Sequence, residues 1–323
     1  MEGKSKYIHI IIVAPVYNDW ESFQFLIEEL VHLKKVSNIV IEEVVAVNDG
    51  STQSIDQDKS FSLPITIVNL NNNMGHQRAI SIGLSYVNDH LKEVVDQIVV
   101  MDCDGEDRPE DIYKLVQAQI AANNKSIIFA KREKRSESFL FKLFYLIYKY
   151  VFSLLTTQHI DFGNYSSIPR SLVEKTVSIP ELWNHYSGAI IKSKISYLSI
   201  GTDRGKRYHG SSKMNFQNLV LHGLSSISIY LDIVSVRLLF LSFFSSIIVG
   251  VGLLVILFLG LFTNIIVSSW SSAIGLILIN ILAIVILTTF LILLFQLNQK
   301  SSVKYPPKSF YKTFILSISN FNN

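Results

Sequence analysis

The feature that most constrains this chain is the stretch 238–299, which contains no Asp, Glu, Lys or Arg. Two runs in it, 238–261 and 273–295, each exceed the roughly 20 apolar residues that a helix needs to cross a bilayer. Arg237 precedes the first run and Lys300 follows the second. Because the cytoplasmic flanks of spans carry an excess of Lys and Arg, this arrangement predicts two transmembrane helices with both outer ends in the cytoplasm. Two buried helices of a soluble core are the alternative, which such uncharged runs disfavour.

The first part of the chain, 1–130, has normal polarity and alternates short apolar runs with amphipathic stretches. Strands are predicted at 8–14, 44–47, 65–70, 97–101 and 126–130, and helices at 21–35, through Ala79 and Leu84, and near 109–122. Strands alternating with helices indicate an α/β fold with a doubly wound, mostly parallel sheet. Such sheets bind ligands beyond the carboxyl ends of their strands, so the chemistry is expected in the loops that follow the strands.

Two further segments are predicted to lie along the membrane surface. Residues 139–155 are rich in aromatic side chains, and Lys142 and Lys149 fall on nearly the same helical face. An apolar helix with one cationic stripe tends to lie among the lipid headgroups. Residues 216–236 have apolar side chains at helical spacing and are predicted as a juxtamembrane amphipathic helix. A helix packed on the sheet is the alternative for each segment, and the two lysines disfavour a third span at 139–155.

The charge balance limits the possible partners. The formal net charge is +3, from 29 basic and 26 acidic residues, and no basic run suited to a phosphate backbone occurs, so nucleic acid is not an expected partner. Cys103 is the only cysteine, which excludes an intramolecular disulfide and a cysteine-rich zinc site and fits a reducing compartment. Residues 1–7 are polar and lead directly into the first strand, so no signal peptide is expected.

Asp102 and Asp104 directly follow the fourth predicted strand. Two carboxylates at this spacing can reach one hard cation from the same side, and Mg²⁺ typically takes one or two carboxylates together with phosphate oxygens and water. The pair therefore predicts a metal site that neutralises a diphosphate leaving group. A surface turn with two acids is the alternative. Glu106 and Asp107 would either support the metal site or place negative charge at the start of the following helix.

Polar residues also follow the first and second strands. Asp49 lies in the turn 48–51, where its carboxylate either accepts hydrogen bonds from a base or ribose or only shapes the turn. Residues 14–18 close the first strand and would form a wall of the same pocket. His76 lies in a polar loop and His185 beside aromatic residues, and for each a binding role and a structural role stay open.

Six motifs occur in order along the chain, at 14–18 (APVYN), 48–51 (NDGS), 73–77 (NMGHQ), 101–110 (MDCDGEDRPE), 161–165 (DFGNY) and 204–213 (RGKRYHGSSK). With these motifs and the two spans, the chain resembles the family 2 glycosyltransferases, which have the GT-A fold. Within that family it is similar to the polyprenyl-phosphate glycosyltransferases related to dolichyl-phosphate mannose synthase and the bacterial GtrB proteins. The resemblance covers nearly the whole chain, which makes it more specific than any single motif.

The resemblance implies a site with a donor side and an acceptor side. The residues implied at the nucleotide sugar are Pro15, Tyr17, Asp49, His76 and Asp102. Asp102 and Asp104 would hold Mg²⁺ or Mn²⁺ at the sugar diphosphate, and Asp104 would be catalytic. The residues implied near a lipid phosphate are Arg204, Arg207 and Lys213. Arginine suits this role because its planar fork matches phosphate oxygens, and a solvated basic loop near anionic lipid is the alternative.

The reaction implied is an inverting transfer, in one displacement, of a sugar from a nucleotide sugar, expected to be a UDP-sugar, to undecaprenyl phosphate. It would occur on the cytoplasmic face of a bacterial inner membrane and serve the modification of cell-surface glycans. A phosphate acceptor is already ionised at neutral pH, so positioning and charge neutralisation should dominate. Relatives often carry Asp where this chain has Asn164, which leaves Asp161 as the candidate for any catalytic base. Glu106 also departs from the glutamine common after the acidic pair.

Other functions have less support. A processive polysaccharide synthase of the same fold would carry Gln-x-x-Arg-Trp and more spans, and none of the three tryptophans follows an arginine. Transfer to another membrane-bound glycan acceptor stays open. A non-catalytic membrane scaffold would not need Asp102 and Asp104, and a transporter would be expected to carry ionisable residues in its spans.

These predictions divide the chain into five segments. Residues 1–135 form the nucleotide-sugar-binding core, and 136–215 the rest of the catalytic domain, with the interfacial helix and the acceptor loop. Residues 216–236 form the juxtamembrane helix, 237–298 the two spans and 299–323 a cytoplasmic tail. Three glycines in the spans would allow close packing with other copies of the chain, so a homo-oligomer, for example a tetramer, stays open. The glycines are Gly250, Gly252 and Gly260.

Overall fold

We describe the protein from a computed structural model. The described residues are 7–53, 55, 61–132, 139–158, 161–209, 216–262, 269–301 and 304–321. The chain divides into two compact units. The α/β unit comprises 1–146, 159–229 and 304–323, and the hairpin unit comprises 147–158 and 230–303. Lys213 lies outside the described residues, so its role at a lipid phosphate stays a prediction.

The secondary structure alternates strands and helices through most of the α/β unit. The strands are β1 Ile8–Val16, β2 Ile39–Asn48, β3 Ile65–Leu70, β4 Gln97–Val100, β5 Ile127–Arg132, β6 Ser166–Pro169, β7 Tyr197–Thr202 and β8 Ile315–Phe321. The helices are α1 Trp20–Val36, α2 His76–Asp89, α3 Glu110–Ala121, α4 Phe139–Thr156, α5 Arg170–Val177, α6 Tyr186–Ser193, α7 Phe216–Ser228, α8 Leu231–Phe262, α9 Ser269–Ser301 and α10 Pro307–Phe310. Two 3₁₀ turns, Pro180–Trp183 and Tyr311–Phe314, complete the set among the described residues.

The described strands form one eight-stranded sheet in the order β7-β5-β6-β4-β1-β2-β3-β8. β1 lies between β2 and β4 and is parallel to both. β6 and β8 run opposite to the other strands, because β6 pairs antiparallel with β4 and β5, and β8 pairs antiparallel with β3. Along the chain, β2 and β3 are added on one side of β1, and β4 is then added on its other side. The carboxyl ends of β1 and β4 therefore flank the switch point of the topology, where sheets of this kind open a ligand crevice.

Both faces of the central strands are buried, which explains why β1 is an almost continuous β-branched run. Ile10 and Ile12 face the cluster formed with α1 and α3, while Ile11 and Val13 face the cluster formed with α2, α5 and α6. α2 packs so closely on the sheet that a Cβ added at Gly83 would lie 2.6 Å from a methyl group of Val47. The strand and helix predictions for residues 1–132 are confirmed in type and order, and the α/β class with a mostly parallel sheet is confirmed.

The predicted tail at 299–323 is instead largely part of the α/β unit. Residues 304–321 form α10, a 3₁₀ turn and β8, which extends the sheet beyond β3. The Tyr311 hydroxyl donates to Asp89 Oδ2 at 2.7 Å, and Trp183 Nε1 donates to the Tyr305 carbonyl at 3.1 Å. β8 escapes hydrophobic-pattern analysis because, as an edge strand, it leaves most of its side chains at least partly exposed.

Among the described residues, two helical segments are long and apolar enough to cross a membrane, Leu231–Phe262 and Gly275–Asn298. Their apolar side chains are largely exposed within the chain, which is typical of helices that are apolar all round and span a membrane. α8 begins at Leu231, so the predicted boundary at residue 237 falls inside this helix. α7, predicted as a juxtamembrane helix over 216–236, ends at Ser228, and its place at a membrane stays a prediction. Within the hairpin unit, the hydroxyls of Ser242 and Thr289 lie 2.9 Å apart and join α8 to α9.

Two of the three glycines proposed for packing between copies, Gly250 and Gly252, face open space within the chain. A Cβ added at Gly250 or Gly252 would meet nothing within 4 Å. Packing of the described hairpin therefore does not require glycine at these positions. The prediction of a homo-oligomer stays a prediction.

Candidate active site

The loop that follows β4 concentrates four carboxylates, and we call residues 102–107 the acidic loop. Asp107 Oδ2 accepts a hydrogen bond from the Asp102 amide at 3.0 Å, and Asp104 Oδ1 accepts one from the Glu106 amide at 2.9 Å. Gly105 has a φ of 89°, which only glycine adopts at little cost. These bonds fold the loop back on itself. Burial, reinforced by the charge of Asp102, raises the pKa of Asp104 to about 6 and that of Asp107 to about 7.

His76, the first residue of α2, faces the acidic loop. Its Nε2 lies 3.2 Å from Asp102 Oδ1, and Asn164 Nδ2 lies 3.1 Å from the same nitrogen. Desolvation by the surrounding protein lowers the pKa of the His76 imidazole. The nearby carboxylates, Asp102 first, outweigh this effect, so the pKa of His76 lies above its usual value. For Asp102 the surrounding protein raises the pKa, and His76 outweighs that effect, so the pKa of Asp102 lies below its usual range. The two side chains therefore form a charge pair at the edge of the site.

Asp102 Oδ1 is buried, and although His76 Nε2 lies 3.2 Å away, this oxygen accepts no hydrogen bond of good geometry among the described residues. A buried carboxylate oxygen without a hydrogen-bond donor is costly unless a cation or donor satisfies it. The residues present therefore fit a divalent cation. Among the described residues, no group of three or more His, Cys, Asp or Glu side chains converges as a ligand set. A cation here would need further oxygens from a substrate or water, which is the usual situation for Mg²⁺.

Three arginines surround the acidic loop. Arg132, at the end of β5, contacts Glu106 at 3.2 Å and Asp107 at 3.1 Å. Two more arginines come from residues 204–208, which follow β7 and which we call the arginine loop. Arg204 Nη2 lies 2.8 Å from Glu106 Oε1, and Arg207 Nη2 lies 2.6 Å from Asp104 Oδ2. Burial raises the pKa of Glu106, and the arginines, Arg204 first, outweigh it and lower that pKa.

The arginine loop is docked on the acidic loop by its backbone. The Gly205 amide donates to the Glu106 carbonyl at 2.9 Å, and the Tyr208 amide donates to the Asp104 carbonyl at 2.9 Å. A Cβ added at Gly205 would lie 2.0 Å from the Gly105 carbonyl oxygen, so this approach requires glycine. On its other side, the Tyr208 ring stacks on Phe25 with centroids 6.0 Å apart. The structure thus joins two motifs about a hundred residues apart in sequence, which no local pattern could predict.

Asp49 is only 3% exposed and lies at the end of β2. Its Oδ1 accepts from the Met74 amide at 2.6 Å and its Oδ2 from the Gly75 amide at 3.0 Å. Burial raises the pKa of Asp49, and these two hydrogen bonds oppose the increase. Asp49 therefore shapes the loop that begins α2 and so helps to place His76. Its contact with a nucleotide stays a prediction.

The loop after β1 is tied to the loop after β2. Asn18 has a φ of 48° and accepts the Thr52 amide on its Oδ1 at 2.9 Å. Pro15 is buried at the end of β1, whereas Tyr17 is 41% exposed. Both lie at the switch point of the sheet, as a nucleotide pocket would require. Their roles in nucleotide binding stay predictions.

Asp161 and Asn164 have different surroundings. Asp161 forms an ion pair with Lys131, and among the described residues the structure gives it no contact with the acidic loop. Asn164 instead lies beside His76, and its Oδ1 accepts from Gln77 Nε2 at 3.3 Å. Asn164 thus lies next to the histidine that contacts Asp102, whereas the base role of Asp161 stays a prediction without structural support.

Two other residues clarify the site. Gln77 Oε1 accepts from the Tyr186 amide at 2.6 Å, which links α2 to α6. His185 is buried and caps α6 by accepting from the Gly188 amide at 3.1 Å, which favours the structural role for this histidine.

Arg132 was not among the site residues predicted from the sequence. Its position just after a predicted strand could have indicated it, whereas the contact of Asn164 with His76 depends on tertiary structure.

Comparison with known proteins fixes the family. The sequence profile of glycosyl transferase family 2 matches residues 11–176, which include the acidic loop and Asn164. The chain belongs to glycosyltransferase family 2. It is an enzyme of that class, and the resemblance stated from the motifs is confirmed.

Individual relatives of this glycosyltransferase agree with that assignment. It is 28% identical over 284 residues to the uncharacterized glycosyltransferase YkcC of Bacillus subtilis, covering 84% of this chain and 83% of that one. It is 25% identical over 231 residues to the undecaprenyl-phosphate 4-deoxy-4-formamido-L-arabinose transferase of Photorhabdus laumondii, covering 65% and 64%. Glucosyl-3-phosphoglycerate synthase from Mycobacterium tuberculosis, crystallised with Mn²⁺, UDP-glucose and phosphoglyceric acid, superposes with a TM-score of 0.50 at 12% identity, covering 70% of this chain and 80% of that one. That likeness shows the shared GT-A fold.

Proposed function

We propose that this glycosyltransferase transfers a sugar from a nucleotide sugar, with inversion, to a polyprenyl phosphate at the cytoplasmic membrane surface. The observation that carries the proposal is the direct contact between the acidic loop and the arginine loop at the carboxyl edge of the sheet. The acidic loop suits the cation-bound diphosphate of a donor, and the arginine loop suits the phosphate of an acceptor. The relative from Photorhabdus laumondii, named for transfer to undecaprenyl phosphate, supports the same acceptor class.

On the donor side, Asp102 and Asp104 would hold Mg²⁺ or Mn²⁺. When bound, the cation would supply positive charge to the diphosphate leaving group. Asp102 Oδ1 supports this assignment, because it is buried and lacks a well-aligned hydrogen-bond donor among the described residues. Pro15, Tyr17 and Asp49 would line the nucleotide pocket, with His76 beside the diphosphate.

On the acceptor side, Arg204 and Arg207 would bind the lipid phosphate, joined by Lys213. A phosphate oxygen attacks the anomeric carbon while the bond from that carbon to the nucleoside diphosphate oxygen breaks, so the configuration inverts. The phosphate is already ionised, and no proton has to be removed from it. Asp161, paired with Lys131, therefore has no required part in the reaction. Orientation and charge neutralisation supply the rate enhancement.

The chain connectivity supports a two-span hairpin. Residues 159–229, before α8, and residues 304–323, after α9, belong to the same folded unit. A chain with both flanks in one unit crosses a membrane an even number of times. Arg237, Lys304 and Lys308 flank the spans, and this positive charge favours the cytoplasm for the α/β unit. We infer a multi-pass protein of a bacterial inner membrane.

The test is a transfer assay with the purified full chain, undecaprenyl phosphate, and Mg²⁺ or Mn²⁺. The donor panel contains UDP-glucose, UDP-N-acetylglucosamine, GDP-mannose and a nucleotide-linked 4-deoxy-4-formamido-L-arabinose. We expect one donor to give a sugar-linked lipid phosphate, detected by mass spectrometry, and EDTA to stop the reaction. The absence of product with every donor, while an active relative works in the same assay, would overturn the proposal. Transfer only to a membrane glycan added in place of the lipid phosphate would favour the alternative acceptor class.

A further inference from the structure

The two acids proposed as cation ligands are in different states. Asp102 Oδ1 is buried and lies 3.2 Å from His76 Nε2, but among the described residues it accepts no hydrogen bond of good geometry. Asp104, in contrast, has both oxygens engaged, because Oδ1 accepts the Glu106 amide at 2.9 Å and Oδ2 lies 2.6 Å from Arg207 Nη2. Asp102 therefore keeps an oxygen that no well-aligned hydrogen bond satisfies, whereas both oxygens of Asp104 are engaged, one of them by a guanidinium group.

The partner of Asp104 is also one of the residues proposed for the acceptor phosphate. The Arg207 side chain is 21% exposed and that of Asp104 is 15% exposed, so the pair is only partly screened by water. A guanidinium group held by a carboxylate cannot present the same fork to a phosphate. The single contact between Arg207 and Asp104 thus occupies a donor-side group and an acceptor-side group at once.

We propose that Arg207 is a counter-ion that a divalent cation displaces from Asp104, so that cation binding releases Arg207 to the acceptor phosphate. This inference rests on the proposed function, since it uses the cation and the phosphate of that reaction. The cation and the phosphate then favour each other's binding, because binding linkage is reciprocal. The order of events is cation and donor first, lipid phosphate second.

The backbone allows this exchange without moving the loop. The Gly205 and Tyr208 amides remain bonded to the Glu106 and Asp104 carbonyls, which fixes the chain on both sides of Arg207. Only the long side chain has to rotate. Glu106 is a second carboxylate close to Arg207, because its Oε1 lies 3.6 Å from Arg207 Nη2. It can bind the guanidinium group when that group leaves Asp104.

The first test measures Mn²⁺ binding alone, by electron paramagnetic resonance of the free ion, with no nucleotide or lipid acceptor. Arg207→Gln is compared with the wild type and with Lys206→Gln, which removes the same charge from the same loop at an exposed side chain. We expect Arg207→Gln to tighten Mn²⁺ binding about three- to tenfold and Lys206→Gln to change it less than about twofold. Equal or weaker binding by Arg207→Gln would overturn the proposal.

The second test uses the wild-type chain and needs no variant to fold. Phenylglyoxal modifies accessible guanidinium groups, and peptide mass spectrometry then reports each arginine separately. We expect Mg²⁺ to raise the modification rate of Arg207 and to leave that of the more exposed Arg108 unchanged. An unchanged or slower rate at Arg207 would contradict the exchange.

The two tests also separate this inference from the proposed function. If Mn²⁺ binds the wild type and Arg207→Gln equally, the displacement is wrong while the transfer reaction stands. If none of the three proteins binds Mn²⁺ at millimolar concentration, either alone or with UDP added, the cation site itself is wrong and the displacement falls with it.

Discussion

The carboxyl edge of the sheet and the hairpin unit make opposite use of polar groups. At the edge, the acidic loop contacts His76 at the start of α2, Arg132 at the end of β5 and two arginines of the arginine loop. In the hairpin unit, the stretch 238–299 has no Asp, Glu, Lys or Arg, and the Ser242–Thr289 hydroxyl pair joins the two helices. One region is organised by charge pairs and the other by apolar packing.

This difference explains why the hairpin unit can be predicted from sequence, whereas the site at the carboxyl edge of the sheet can be predicted only in part. A bilayer selects for polarity averaged over a whole helix, and that average is visible in the sequence. The site depends instead on which charged side chains lie in contact in the folded chain. Asp104 and Arg207 each belong to a recognisable motif, but their 2.6 Å contact follows only from the docking of two loops.

The largest expected effect comes from removing one charge at the edge. Asp104→Asn keeps the shape of the side chain but takes away half of the proposed cation site and the partner of Arg207. We expect sugar transfer to fall about 10²- to 10³-fold, as for other preorganised charges aimed at a reacting group. Activity is measured by formation of sugar-linked lipid, and membrane insertion by carbonate extraction, which should be unchanged.

The matched control is Asp203→Asn, which removes the same charge just before the arginine loop. Asp203 is 61% exposed and lies 4.0 Å from Arg108, so its loss should change activity less than about twofold. Wild-type activity in Asp104→Asn would remove this residue from the reaction. Equal losses in both variants would mean that the net charge of the edge, rather than the position of Asp104, matters.

The fold shows the same limit of sequence analysis as the site. Strands β1 to β5 follow from their β-branched runs, but β6 is the short polar sequence Ser166–Pro169. Ser167 Oγ donates to Gln97 Oε1 at 2.9 Å, and Ser166 Oγ lies 2.8 Å from the Tyr186 hydroxyl. Buried serines with partners stabilise a strand that carries no hydrophobic pattern. Asn164, which precedes β6, was visible as a departure from relatives, and its contact with His76 was not.

A smaller effect is expected from pushing the two loops apart. In Gly205→Ala, the new Cβ would lie 2.0 Å from the Gly105 carbonyl oxygen, so the arginine loop must shift. We expect a loss of about 1–3 kcal/mol in the free energy of unfolding, which is typical of overpacking. Transfer activity should fall about 10- to 100-fold because Arg204 and Arg207 are displaced. Thermal unfolding and the transfer assay measure the two effects.

Gly163→Ala is the control for glycine replacement, because a Cβ there would meet nothing within 4 Å. It should leave the free energy of unfolding within about 0.5 kcal/mol of the wild type. If Gly205→Ala is equally harmless, the close contact of the loops is not required, and the edge is less tightly organised than the comparison with the hairpin unit implies.

The smallest effect is expected in the hairpin unit. Thr289→Val keeps the shape of the side chain and removes its hydroxyl, which lies 2.9 Å from Ser242 Oγ. We expect a loss of about 0.6 kcal/mol in hairpin stability, since hydrogen bonds between membrane helices contribute little on average, with sugar transfer unchanged. Unfolding in mixed micelles measures the loss. Thr288→Val is the matched control, because among the described residues its hydroxyl bonds only carbonyls of its own helix, those of Ile284 and Val285. A loss well above that of the control would show that this pair fastens the hairpin, whereas equal values for the two variants would leave apolar packing alone to hold α8 against α9.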